Sequence, residues 1–203
     1  MTKLGLIASM IFVMAGLGTT TAQTATATDA SAPSYDMKAQ ALVDLDQAQK
    51  KFVGLANAIP SEKFTWRPSE DSRSFAQVLL HVAAERYQIL QMMGATPPEG
   101  FNGKGFEEST TDKAKIVDEL NRSWDFAQKT INGMTNADFA KLQPKLGPQA
   151  NSGDVVYILV ADAHEHLGQA VAYARMNGIV PPWTVAQKQA AEKKAAEKKA
   201  EQK

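Results

Sequence analysis

Apolar side chains recur at every third or fourth position in four stretches of this chain, and that spacing is typical of amphipathic α-helices. The predicted helices cover residues 35–58, 74–94, a stretch that follows "STTD" and is closed by Gly133, and 152–177. No stretch alternates apolar and polar residues for long enough to predict a β-strand. Four amphipathic helices of about 20 residues each most simply form an up-down four-helix bundle, so the predicted fold class is all-α.

The first 22 residues have a different pattern. Lys3 precedes the apolar run "LGLIASMIFVMAGLG", and the small residues "TTA" precede Gln23, which predicts a signal peptide over 1–22 that is cleaved after Ala22. The apolar run is shorter than the roughly 20 residues that a membrane-spanning helix needs, and this favours cleavage over an uncleaved anchor. We therefore predict a periplasmic or secreted protein whose mature form has no transmembrane span.

The composition changes again near the C-terminus. After a flexible lead-in over 23–34 and the bundle over 35–183, the last predicted segment, 184–203, repeats "AEKKA" in tandem and is rich in Ala, Glu and Lys. These residues favour a helix, and Lys193 and Glu197 are spaced to pair along it, but no apolar stripe is present to dock it. A solvated, partly helical tail is the first interpretation, and contact of its lysines with an anionic surface is the second.

The composition also excludes several kinds of chemistry. The chain has no cysteine, which excludes disulfides, thiolate metal ligands and a cysteine nucleophile. Lys and Arg together number 22, as do Asp and Glu, so the net charge gives no reason to expect nucleic acid as a partner. An unidentified small-molecule substrate is the expected partner, and the sequence leaves a homodimer open.

The fourth predicted helix carries a cluster of titratable residues in "DAHEHLGQAVAYARMNG". A helix turns by about 100° per residue, so Asp162 and His166 lie one turn apart on one face, whereas His164 lies on the opposite side. Asp162 and His166 can therefore reach one metal ion from a regular helix, but His164 and His166 cannot.

The second predicted helix has a matching pair, since His81 and Glu85 lie one turn apart among apolar neighbours. Buried charges need partners, and the facing helices of a bundle can supply them or hold a cation between them. The spacing predicts a metal centre with His81, Asp162 and His166 as ligands, and with Glu85 as a fourth ligand, a supporting acceptor or a catalytic base. Such ligands suit zinc, nickel, iron(II) or manganese. The alternative is a polar network without metal.

Two segments resemble the DinB-like proteins of the DinB/YfiT superfamily. "FTWRPSEDSRSFAQVLLHVA" is similar to the family's W-x-P loop and second helix, and "HLGQAVAYARMNGIVPP" is similar to its last core helix. The resemblance covers residues 39–183. It implies an up-down four-helix bundle with a divalent metal, usually zinc or nickel, on three histidines. By position these ligands are His81, Asp162 in place of the family's second histidine, and His166.

The resemblance also implies a function. The family includes thiol-dependent transferases and isomerases, such as bacillithiol S-transferases and the mycothiol-dependent maleylpyruvate isomerase, in which the metal activates a thiol. Export would separate this chain from the cytoplasmic thiol pool and would favour a metal-activated water. Two hypotheses follow: a metal-dependent hydrolase or transferase with Glu85 as its base, and a non-catalytic envelope module whose metal site is structural or vestigial. Whether the protein is an enzyme stays open between them. A third hypothesis is an adaptor that docks its lysine-rich tail on anionic surfaces.

Overall fold

The computed structural model describes residues 36–201, and this part of the chain forms six α-helices and one short 3-10 turn. The helices are α1 (Met37–Ala58), α2 (Phe75–Gln91), α3 (Lys113–Asn132), α4 (Asn136–Ala140), α5 (Ser152–Met176) and α6 (Pro182–Glu201). Within the described residues no β-strand forms, which confirms the predicted all-α class. The predicted signal peptide, its cleavage after Ala22 and the predicted lead-in over 23–34 lie outside the described residues.

Four of these helices, α1, α2, α3 and α5, form the predicted four-helix bundle. α1 and α2 each pack mainly against α3 and α5, so α1 and α2 lie diagonally opposite each other. The apolar stripe predicted along α1 is buried, at Ala41, Leu45, Ala48, Phe52 and Leu55. Burial of such stripes stabilises the bundle by roughly 25 cal/mol for each Å² of apolar surface removed from water.

Hydrogen bonds at the ends of the bundle show how α1 and α3 run. Lys38, at the start of α1, donates from Nζ to the carbonyl oxygens of Asn132 and Met134 at the end of α3, over 2.6 and 2.8 Å. Lys113, at the start of α3, donates from Nζ to the carbonyl oxygen of Ile59, just past the end of α1, over 2.7 Å. α1 and α3 are therefore antiparallel.

α2 and α5 are antiparallel as well. The ring of Phe75, at the start of α2, lies 6.5 Å from that of Tyr173 near the end of α5, and Arg86 further along α2 contacts Asp162. Met37, at the start of α1, packs beside Gly153 at the start of α5, where an added Cβ would lie 3.3 Å from the Met37 Sδ. The helices thus run up, down, down and up in the order α1, α2, α3, α5, so the four-helix bundle forms as predicted but its helices do not alternate strictly along the chain.

Because α2 and α3 run in the same direction, the connection between them must return along the bundle. Residues 92–112 make this connection. They bring Phe101 and Phe106 against Tyr87 of α2, with ring centroids 4.7 and 6.5 Å away. The same connection carries Glu107 alongside the first half of α2.

A capping box fixes the first turn of α2. The backbone N–H of Gln77 donates to Ser74 Oγ over 3.3 Å, and the backbone N–H of Ser74 donates to Gln77 Oε1 over 2.8 Å. The helix ends at Gln91, and Gly94 just beyond it has a φ of +91°, a conformation that favours glycine where a helix stops. The capping box at Ser74 thus fixes the residue at which α2 begins.

α6 forms one continuous helix in the region of the predicted tail. Trp183, near its start, packs against the core of the bundle, whereas the residues from Val185 to Glu201 are exposed. Lys193 Nζ lies 3.9 Å from Glu197 Oε1, one turn further on. None of the helices in the described part of the chain has the length and apolar character needed to cross a membrane.

Candidate metal centre

The antiparallel packing of α2 and α5 brings the four predicted site residues together. α2 presents His81 and Glu85, and α5 presents Asp162 and His166. The two imidazole rings meet edge to face, with centroids 4.7 Å apart and planes at 86°. The four side chains are only 12% to 22% exposed, so water screens their interactions weakly. His164 is exposed, as its helical phase predicts.

One carboxylate oxygen lies between the two rings. Glu85 Oε2 is 3.2 Å from His81 Nε2 and 3.4 Å from His166 Nε2. One atom from each of these three residues lies within 4.8 Å of the others, which is close enough for a single cation to bind all three. Glu85 Oε2 is buried and has no hydrogen-bond partner of good geometry among the described residues. Two ring nitrogens facing a buried, unsatisfied carboxylate oxygen fit a divalent cation.

The far side of each ring is held by an acceptor. His81 Nδ1 lies 2.7 Å from Glu107 Oε1, and His166 Nδ1 lies 2.9 Å from Gln169 Oε1. An acceptor at Nδ1 keeps the proton of the neutral ring there and leaves the Nε2 lone pair free. Histidine ligands of metals are commonly oriented in this way. Both rings are therefore arranged to offer Nε2 to the space beside Glu85.

Asp162 lies next to this trio rather than within it. Its Oδ1 is 3.4 Å from His166 Nε2, and its Oδ2 accepts a hydrogen bond from Arg86 Nη1 over 3.2 Å. The sequence-based ligand set of His81, Asp162 and His166 stays a prediction. The three groups that converge most closely are instead His81, Glu85 and His166. Glu85 thus lies where it could bind a cation together with the two histidines, and its role as a base also stays a prediction.

In the metal-free site these charged groups shift one another's pKa values. Asp162, and then Glu85, raise the pKa of His166 to about 10. Burial acts to raise the pKa of Glu85, but His166 and His81 outweigh it and hold that pKa well below its usual range. Burial raises the pKa of Asp162, and the contact with His166 offsets this only in part. At neutral pH the metal-free site therefore contains a His166 imidazolium, whose proton a metal ion would have to displace.

Comparison with known proteins supports the placement of this site in a known fold family. The model of the DinB superfamily matches residues 44–170, a range that includes all four site residues. This chain belongs to the DinB superfamily. A conserved protein from Enterococcus faecalis, known from its crystal structure, has the same fold as this DinB-superfamily chain, with a TM-score of 0.58 at 15% identity. The match covers 70% of this chain and 97% of that one. No curated protein matches the sequence.

Sequence reasoning missed three residues that support the site of this DinB-superfamily chain: Glu107, Arg73 and Arg86. Glu107 lies on the irregular 92–112 connection, where no periodicity points to the position of a side chain. Arg73 donates two hydrogen bonds to the Glu107 carboxylate, from Nε to Oε2 over 2.6 Å and from Nη2 to Oε1 over 3.2 Å. Burial acts to raise the pKa of Glu107, but Arg73 and His81 outweigh it and keep that pKa low.

Arg86 did leave a signal in the sequence. Its helical phase places it on the apolar face of α2, beside Val82, Leu79 and Leu90. All three neighbours and Arg86 itself are fully buried in the structure. A charged residue at the centre of an apolar face needs a partner inside the protein, and the partner here is Asp162.

A polar cleft of about 500 Å³ adjoins the centre. Glu107 and Gln169, which hold the two rings, also line this cleft, together with Arg67, Arg73 and Tyr173. One layer of side chains thus separates the cleft from the histidines. A larger cleft of about 670 Å³ lies where α1 ends and α3 begins, and no residue of the centre lines it. The smaller cleft is the one placed to admit a ligand to the centre.

Proposed function

We propose that this DinB-superfamily protein holds a divalent cation between α2 and α5 and acts on a small molecule as a metal-dependent hydrolase or transferase. His81, Glu85 and His166 would hold the cation, with Asp162 beside them. One observation carries the proposal: each histidine has an acceptor at Nδ1 and directs Nε2 towards the same buried Glu85 oxygen.

A polar network without metal accounts less well for this arrangement. In such a network Glu85 Oε2 would be satisfied by the two ring nitrogens, but these lie 3.2 and 3.4 Å away and in a geometry too poor for a hydrogen bond, so a shared cation satisfies that oxygen better. Two imidazole nitrogens and carboxylate oxygens suit zinc, nickel, iron(II) and manganese alike. The identity of the metal is therefore a matter for elemental measurement.

The chemistry would be divided between the cation and the chain. A divalent cation in this position supplies Lewis acidity, which lowers the pKa of a water or thiol that it binds. Glu107 and Gln169 keep the histidine rings oriented. Whichever of Glu85 and Asp162 does not hold the cation can accept a proton from the nucleophile. The export expected from the signal peptide favours water over a cytoplasmic thiol as that nucleophile.

A second candidate function rests on the layer formed by Glu107 and Gln169. Because these side chains stand between the cleft and the rings, they can also close the centre completely. A closed centre is typical of a structural metal site and fits a non-catalytic envelope module. The two functions differ in whether one coordination position is open to an added ligand.

The first experiment measures metal content by elemental mass spectrometry on protein purified without a chelating tag. We compare the wild type, His166→Ala and His164→Ala, the last of which removes an exposed histidine two residues away on the same helix. Near-stoichiometric metal in the wild type and in His164→Ala, with loss in His166→Ala, is the expected result. Metal absent from all three samples, or equal in all three, would contradict the proposal.

A second experiment separates catalysis from a structural role. Protein loaded with Co²⁺ has visible absorption bands that change when azide or a small thiol enters an open coordination position. A spectral change that is lost in His166→Ala supports the hydrolase or transferase. Unchanged bands at saturating azide and thiol support the closed, structural centre.

A further inference from the structure

Arg86 is fully buried in the middle of the bundle, where a positive charge is unfavourable. Its guanidinium stacks on the ring of Trp124 from α3, with Cζ 4.1 Å from the ring centroid. Nη1 donates to the carbonyl oxygen of Val82 and to Asp162, while Nε and Nη2 have no hydrogen-bond partner among the described residues. An apolar side chain of similar size would fill this position at a lower desolvation cost. Arg86 therefore needs an explanation other than the stability of the core.

The contact with Asp162 offers that explanation. Arg86 Nη1 donates a hydrogen bond to Oδ2 of Asp162 over 3.2 Å. The other oxygen of Asp162, Oδ1, lies 3.4 Å from His166 Nε2. Trp124 fixes the plane of the guanidinium, and the backbone of Val82 fixes its end. The carboxylate thus has one defined orientation, with its free oxygen turned towards the histidines.

We propose that Arg86 is a positioning residue of the metal centre, which holds Asp162 by one oxygen so that the other faces the cation site beside His166. This inference rests on the proposed function, since it assigns a role within that centre. It also explains why Nε and Nη2 of the buried Arg86 have no hydrogen-bond partner among the described residues. The guanidinium is positioned to contact Asp162, and this position leaves those two donors unsatisfied. Arg86 makes no hydrogen bond or ion pair with the histidines or Glu85 among the described residues, so its direct contact with the site is the one with Asp162, while its charge also acts on Glu85 without a hydrogen bond.

The test measures the affinity of the purified, metal-stripped protein for Zn²⁺ and for Mn²⁺ by competition with a chromophoric chelator. The variants are Arg86→Met, Asp162→Asn and the double variant, and Arg122→Met, which makes the same change at an exposed arginine of α3, is the control. We expect Arg86→Met to weaken binding by about 10- to 100-fold, because Asp162 loses the partner that turns Oδ1 towards the cation site. Arg86→Met and Asp162→Asn both disrupt the same contact, the one between Arg86 and Asp162. The double variant should therefore bind no more weakly than Asp162→Asn.

Two results would overturn the inference. One is wild-type affinity in Arg86→Met; the other is a double variant whose loss equals the product of the two single losses, which shows that the residues act independently. Arg86→Lys serves if the methionine variant does not fold, as judged by helical circular dichroism. Lysine keeps the charge but not the planar guanidinium, so the positioning role predicts weakened binding, and full affinity would contradict it.

The same measurements distinguish this inference from the proposed function. If the wild type binds neither cation, the metal centre itself is wrong and the role of Arg86 falls with it. If the wild type binds and His166→Ala does not, while Arg86→Met retains wild-type affinity, the metal centre stands and only the role of Arg86 is wrong.

Discussion

At the scale of single residues, Glu107 determines how one of the two histidine rings is held. Its carboxylate lies 2.7 Å from His81 Nδ1 and forms an ion pair with Arg73. It reaches the ring from an irregular connection, whereas Gln169 reaches the other ring from the same helix, three residues away. Loss of Glu107 should therefore release His81 while the helices stay in place.

Glu107→Ala should weaken the binding of Zn²⁺ by about 10- to 100-fold, because His81 loses the acceptor that orients its ring. Glu107→Gln keeps an oxygen at that position and should bind with intermediate affinity. Chelator competition measures both. Glu108→Ala is the matched control, since Glu108 accepts a hydrogen bond from Gln77 and touches neither histidine. An equal loss in the Glu108 variant would show a general effect on the connection.

The stability of the metal-free protein should depend on pH through His166. Its pKa rises from 6.5 to about 10 on folding, so its contribution is fully present below pH 6.5 and is lost as the pH rises towards 10. The contribution is on the order of a few kcal/mol. Urea unfolding in the presence of a chelator, from pH 6 to 10, measures it. His166→Gln should flatten this decline and His164→Gln should not; a parallel decline in the His166 variant would show that other groups cause it.

At the scale of elements, the sequence predicted the helices well but not the path of the connection between α2 and α3. Apolar periodicity and the caps located four long helices, since each of them buries one stripe against the others. The shared direction of α2 and α3 follows from tertiary packing, which no local pattern reports. Residues 92–112 are long enough to return along the bundle, and their length was the one local sign of it.

The same limit applies to the site. The pairs His81 with Glu85 and Asp162 with His166 were predictable, because one helical turn determines which side chains share a face. Which carboxylate lies between the rings depends on side-chain rotamers and on how far α2 is shifted along α5. Arg86 was predictable as an anomaly on an apolar face, though its partner was not.

The capping box at the start of α2 should contribute measurably to stability. Ser74→Ala leaves the backbone N–H of Gln77 without its acceptor and should lower the free energy of unfolding by about 1 kcal/mol. Chemical denaturation followed by circular dichroism measures this change. Ser72→Ala, at a half-buried serine two residues earlier whose hydroxyl contacts only that of Ser69, should change it by less than about 0.5 kcal/mol. Equal effects of the two substitutions would argue against the cap.

At the scale of the whole molecule, the bundle and the outer part of α6 should behave independently. Deletion of residues 186–203 removes side chains that are exposed throughout their described part and keeps Trp183, which packs on the core. The free energy of unfolding should stay within about 0.5 kcal/mol of the full-length value, and metal affinity should not change. A drop of several kcal/mol in denaturant unfolding would show that the tail docks on the bundle after all.

The up, down, down, up order of the helices also sets when the centre can exist during protein synthesis. His81 and Glu85 emerge from the ribosome with α2, but Asp162 and His166 arrive only with α5, and the contact from Arg86 to Asp162 spans 76 positions of the chain. A nascent chain that has completed α3 therefore carries two of the four site residues and no partner for its central arginine. A cation held at the proposed centre would therefore enter after the last bundle helix has been made and has docked against the first three.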